Sequence, residues 1–104
     1  MGGITNAIAI NEICMDAGIP CWIGGMLESA VGASHCVALA TLPNMEYPAD
    51  IFPTDRFYHD DLGDPEMVHS GPSEFQATMK PGIGVEPKTE ALDRLSLSRI
   101  SLVA

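Results

Sequence analysis

Between Pro20 and Ser29 a short apolar run passes through two consecutive glycines and enters a long uncharged segment: Pro20-Cys21-Trp22-Ile23-Gly24-Gly25-Met26-Leu27-Glu28-Ser29. This stretch constrains the fold more than any other. It reads as a buried strand whose carboxyl end opens onto a loop, followed by a helix. Paired glycines at such a point let the backbone bend sharply or come close to a ligand. In parallel sheets, ligands gather at the carboxyl ends of the strands. The functional surface is therefore expected from Gly24 to Glu28.

The flanking sequence repeats the rhythm. Ala7, Ile10, Ile13, Cys14 and Ala17 recur at helical spacing with Asn11, Glu12 and Asp16 on the other side, which predicts a helix over Thr5 to Ala17. Thr5 or Asn6 is its expected cap, and Gly18 its expected stop. Ile19 to Ile23 is the strand. A second helix is expected from Ser29 to Leu42, capped by Ser29 and apolar on nearly every side, which predicts burial all round. Pro43-Asn44 ends it, and Met45 to Ile51 reads as another strand. Helix, strand, helix, strand with short connections is the order of parallel β/α architecture. Two strands cannot form a parallel sheet covered on both faces, so the pattern reads as part of something larger.

With 104 residues the chain has room for one domain, and 46% hydrophobic residues fit a folded one. The formal net charge of -9 argues against nucleic acid or an anionic membrane as a partner. Of the 14 acidic residues, 11 lie from Glu46 onward, which leaves the first half apolar and in need of cover. No basic segment precedes an apolar core at the N-terminus, so no signal peptide is expected. The charge-free run Ser29 to Met45 contains Gly32, His35, Pro43 and Asn44 and does not read as a membrane span. Cys14, Cys21 and Cys36 lack Cys-x-x-Cys spacing and read as reduced, buried thiols of a cytoplasmic protein. Residues 53–73 read as an acidic, turn-rich surface excursion. Glu74 to Met79 is expected as a short strand, Pro87 to Leu95 as a helix, and Ser96 to Ala104 as a loosely held tail.

Few side chains point to chemistry. Glu28 is either a ligand to a polar substrate or a structural acceptor near a helix start, and Asp50, near the next strand end, is placed to share its mouth. His35 on an apolar helix face reads as a satisfied core or interface histidine. His59-Asp60-Asp61 holds metal-competent groups without preorganised spacing and reads as a solvated turn. Gly2-Gly3 lacks the Gly-x-Gly-x-x-Gly pattern of an anion site, and neither Lys80 nor Lys88 has apolar flanks that would depress its pKa. There is a ligand mouth and no complete catalytic set.

The runs Gly2-Gly3-Ile4-Thr5 and Gly18 to Ser29 resemble the C-terminal third of enolase-superfamily enzymes, within the o-succinylbenzoate synthase and N-acylamino acid racemase branch. The resemblance continues through His35, Ala38-Leu39-Ala40, Leu42-Pro43-Asn44, Tyr47 to Ile51, Arg56-Phe57-Tyr58 and Pro81 to Val85. It implies an α/β fold, the C-terminal portion of a modified TIM (β/α) barrel. Ile19 to Ile23 would be its seventh strand and Met45 to Ile51 its eighth. Residues 1–52 would form this partial barrel, 53–73 the excursion, and 74–104 the closing segment that returns to a capping domain. The implied chemistry is removal, by a lysine, of the proton next to a carboxylate that Mg²⁺ holds. Gly24, Gly25 and Met26 match the segment lining the pocket for the substrate's acyl arm, with Glu28 beside them. Asp50 and Ile51 match the eighth-strand end facing the same cavity. The catalytic lysines and the carboxylate ligands of Mg²⁺ belong to earlier strands and have no counterpart here.

The resemblance thus makes the chain a fragment with a truncated or misassigned start, inactive alone. Its partners would be a small carboxylate substrate and the missing N-terminal part of the same barrel, and in isolation it would self-associate. The other reading is a stand-alone binding or assembly domain, which would need a self-sufficient core.

Overall fold

A computed structural model describes residues 2–102. The elements in order are α1 (Ile4–Asp16), α2 (Ala30–Leu39), a 3₁₀ turn (Thr54–Arg56), β1 (Gly63–Asp64), β2 (Glu86–Pro87) and α3 (Thr89–Leu95). Both long helices fall where the periodicity places them, with shifted ends. The cap of α1 is Gly3, at φ 102°, and not Thr5 or Asn6. A backbone angle open to glycine starts the helix earlier than a side-chain cap would. Its other end forms a Schellman motif: Gly18, at φ 67°, donates to Met15 O at 3.0 Å, and Ile19 donates to Cys14 O at 2.8 Å. Helix α2 stops at Leu39, three residues short of Leu42. The chain then loosens into turns from Thr41 N to Ala38 O and from Leu42 N to Leu39 O.

The two expected strands run side by side and parallel, but they shrink to isolated bridges, Cys21 with Met45 and Gly24 with Asp50. Glu46 N and Tyr47 N both donate to Cys21 O, at 3.1 and 3.5 Å, and Asp50 N donates to Ile23 O at 2.9 Å. Pro20 and Pro48 each remove a ladder donor, which limits pairing to these points. Asn44, at φ 72°, ties the end of α2 to the first segment by donating from Nδ2 to Ile19 O at 2.9 Å.

In the second half, β1 and β2 pair antiparallel, and Lys88 N donates to Leu62 O at 2.8 Å. The strand expected over Glu74 to Met79 is reduced to one bridge between Gly71 and Glu74. Helix α3 begins at Thr89 and docks through Ala91, which is buried. The tail from Ser96 is exposed and irregular as far as Leu102, and its last two positions, like Met1, lie outside the described residues. No helix among the described residues is long and apolar enough to cross a membrane.

The core is thin. Its buried apolar residues are Ala7, Ile23, Ala30, Ala33, Val37, Val85 and Ala91, mostly small, and the largest fully buried side chains are polar, Thr54 and Asp61. Both belong to the stretch expected to be a surface excursion. Thr54 N donates to Met67 O at 2.8 Å, and its hydroxyl accepts Met67 N–H at 3.3 Å, so the excursion is pinned to itself at its base.

Helix α1 departs furthest from its pattern. Ala7 is buried as expected, but its buried companion is Asn11, whereas Ile10 and Ile13 are 43% and 68% exposed. The isoleucines face away because nothing in residues 2–102 lies on that side to receive them. The radius of gyration is 15.4 Å within extents of 46 × 41 × 24 Å. A compact chain of this length would have about 13 Å. The fold is a slab.

Candidate functional site

The loop after the first parallel segment sits where the sequence places it, at the carboxyl ends of both segments. Gly24 pairs with Asp50 across the bridge. At Gly25 a Cβ would fall 2.5 Å from Asp50 O and 3.4 Å from the Ile51 Cα. Only glycine fits there. At Gly24 a Cβ would meet nothing nearer than the Trp22 indole at 3.7 Å, an ordinary contact. Neither residue is at positive φ, so the glycine pair serves the neighbouring strand's close approach and not a left-handed bend.

Gly24, Gly25, Asp50 and Ile51 are therefore brought together through their backbones. The other two candidates point elsewhere. Met26 is 75% exposed. Glu28 turns back on its own loop: its Oε2 accepts Met26 N–H at 2.6 Å, and its Cβ and Cγ lie against Gly32 of α2. Burial, with the Glu28 charge adding to it, raises the pKa of the Cys36 thiol on the same helix. In this conformation Glu28 is a structural acceptor.

Gly24 lines an apolar cavity of about 490 Å³ between α1 and α2, with Ile4, Ala7, Ile23, His35 and Leu39. Asp50 and Ile51 line another, of about 570 Å³, beside Val37, Phe52 and Arg56. The strand ends adjoin, yet their side chains serve cavities on two sides. With two parallel segments the mouth is an edge and not a ring. His35 behaves as expected for a satisfied histidine: it is half-buried, with Nδ1 2.8 Å from Val31 O, a contact that requires the proton on that nitrogen. Cys14, Cys21 and Cys36 are free and half-buried. Burial raises the pKa of the Cys21 thiol, and the adjacent Cys14 adds to the effect.

The excursion supplies what sequence reasoning missed. Asp61 does not lie in a solvated turn; it is 1% exposed. Its Oδ1 and Oδ2 accept Ala30 N–H at 2.9 and 3.1 Å, and Oδ1 also accepts Gly63 N–H at 3.0 Å. It thereby caps α2 from 31 residues away, while Ser29, the residue in the cap position, makes no side-chain cap bond. Tyr58, also 31 residues from its partner, donates its hydroxyl to Leu27 O at 2.6 Å. No local spacing signals either contact. Asp60 faces outward to Lys88 Nζ at 3.2 Å and Arg94 Nη2 at 2.7 Å. First Arg94 and then Lys88 hold its carboxyl below the usual range.

Two adjacent parallel segments, each following a helix, the first ending in paired glycines pressed against the end of the second, define a piece of an α/β scaffold. The model of the enolase C-terminal domain-like family matches residues 1–91, and the chain belongs to that family. It is 37% identical over 100 residues to an N-succinylamino acid racemase of Amycolatopsis, covering 96% of this chain and 27% of the relative. It is 35% identical over 95 residues to an o-succinylbenzoate synthase of Geobacillus kaustophilus, covering 90% and 25%. A solved member of the enolase superfamily from Listeria innocua superposes with a TM-score of 0.80 at 33% identity, covering 89% of this chain and 25% of that one. The resemblance drawn from the glycine loop thus holds. The chain spans about a quarter of the length of the relatives it matches.

Proposed function

We propose that the chain is the closing portion of a (β/α) barrel enzyme that removes the proton next to a substrate carboxylate, in an N-succinylamino acid racemisation or an o-succinylbenzoate synthase-type dehydration. Its two parallel segments take the places of the seventh and eighth strands. The observation that carries this reading is the pairing of Gly24 with Asp50, with Gly25 pressed against the Asp50 carbonyl. It sets two strand ends side by side at the face where barrels of this kind bind substrate. In the complete barrel the backbone of the Gly24 to Glu28 loop and the Asp50-Ile51 end would form adjoining walls of the pocket for the substrate's acyl arm, whereas in the chain by itself they line two separate cavities.

Metal and proton chemistry are assigned elsewhere in the barrel. The described residues hold no group of three carboxylate, imidazole or thiol side chains placed to bind a metal ion. They do not fit Mg²⁺, whose ligands would come from the rest of the barrel. The uncovered Ile10 and Ile13 of α1 support a missing neighbour on that side. Free, half-buried thiols fit a reducing cytoplasm as the site of action.

The test mixes the chain with a separately expressed N-terminal three-quarters of a racemase relative and follows α-proton exchange of an N-succinylamino acid in the presence of Mg²⁺. The pair is expected to turn over, and the chain alone is not. Turnover by the chain alone, or its failure to confer any on the counterpart, would refute the proposal.

A further inference from the structure

Residues 54–61 act on the glycine loop from outside it. Thr54, buried and bonded to Met67, anchors the turn, and Tyr58 N donates to Thr54 O at 2.9 Å. From that base Tyr58 reaches Leu27 O at 2.6 Å, and Asp61 reaches Ala30 N at 2.9 Å. The two contacts are three residues apart on each side, and they bracket Glu28 and Ser29. Between them they take the last carbonyl before the turn and the first amide of α2, groups with no helical partner of their own. Glu28, closed onto Met26 N, completes a loop whose backbone is held at successive points.

We infer that Tyr58 and Asp61 are positioning residues for the acyl-arm pocket, a two-point clamp that sets where Met26 and Leu27 stand relative to Asp50; this rests on the function proposed above. Neither side chain touches the pocket itself. A carboxylate buried at 1% exposure with two N–H donors, Ala30 shared by both its oxygens and Gly63 on one, and no ion pair among the described residues is costly to hold unless those donors stay in place. Asp61 therefore tolerates one arrangement of the loop's end. The Tyr58 hydroxyl fixes the middle, and without it Leu27 is free to rotate its peptide toward solvent. The clamp acts on the loop, and through it on the part of the substrate that lies against it, the arm.

Two variants test this, Tyr58→Phe and Asp61→Asn, the first retaining ring and packing. In the 104-residue chain, amide exchange at Met26 and Ala30, the two loop amides held by carboxylates, is expected to accelerate about tenfold in each, with α1 unchanged. In the chain mixed with its N-terminal counterpart, KM for an N-succinylamino acid should rise about fivefold for Tyr58→Phe, with kcat within about twofold. KM for an N-acetylamino acid, whose arm is shorter by a carboxymethyl group, should change by less than about twofold. A purely structural role would move both substrates alike, or lower kcat, and that result overturns the inference, as does unchanged exchange at Met26 and Ala30. If the unsubstituted pair turns over neither substrate, the proposed function falls, and amide exchange in the chain alone decides the clamp.

Discussion

Gly25 and Gly24 are neighbours with opposite tolerances. A methyl at position 25 would lie 2.5 Å from a backbone oxygen that no rotamer change can move, so the two parallel segments must separate. A methyl at position 24 meets only the edge of a side chain at 3.7 Å. Gly25→Ala is accordingly expected to cost about 1–3 kcal/mol of stability, the range of an overpacked site, and to loosen the Gly24–Asp50 bridge. Gly24→Ala should fall within about 0.5 kcal/mol of the parent. Urea midpoints of the two variants check the contrast; equal losses would mean that the strand ends are not held at this separation. Asn11 shows the reverse problem, a polar side chain where packing asks for an apolar one. It is buried at 4% exposure, and its Oδ1 has no hydrogen-bond partner among the described residues.

At the level of elements, the surface ion cluster ties the segments flanking β1 to α3 and to Lys88, which lies between β2 and α3. Lys88 bridges Asp60 and Glu66, each at 3.2 Å, and Arg94 adds a second cation to Asp60. The Asp60 pKa is lowered, chiefly by Arg94, so its contribution is intact above the unfolded value near about 3.9 and is lost as pH falls through the folded one. The Lys88 pKa is raised, chiefly by Asp60, so its contribution is complete below the unfolded value near about 10.4 and is lost as pH rises through the folded one. The cluster therefore works across the neutral range. Asp60→Asn should lower the thermal midpoint slightly at pH 7, less so in high salt, and the difference should vanish toward pH 2. A difference that persists in acid would show that Asp60 acts through packing.

Helix positions were legible because 3.6-residue spacing and Gly18 are local signals, and the glycine loop because its composition is unusual. The face that α1 buries was not. Periodicity marks Ile10 and Ile13 as apolar, but which side receives cover depends on what lies beside the helix. Strand extent was overestimated for a related reason, since each segment has a ladder on one edge only. The roles of Tyr58 and Asp61 were illegible because contacts 31 residues apart leave no periodic trace.

The molecule as a whole leaves apolar area in the open. Ile13 is 68% exposed, Leu27 63%, Ile19 55% and Trp22 53%, on a slab 24 Å thick whose core is built largely of alanine. Surfaces of this kind associate. Sedimentation of the isolated chain is expected to show self-association at micromolar concentration despite its net charge of -9, giving way to a single complex when the N-terminal counterpart is added. A monodisperse monomer with one cooperative thermal transition would instead favour a stand-alone domain.

The long reach of the Asp61 cap also bears on the order in which the polypeptide matures during synthesis. The first amide of α2 waits for a carboxylate translated 31 codons later. Until the ribosome has delivered that residue and it has cleared the exit tunnel, the start of α2 lacks its partner and the loop before it stays unanchored. The glycine loop is set last, after its own residues and the Asp50-Ile51 end beside it have already been made.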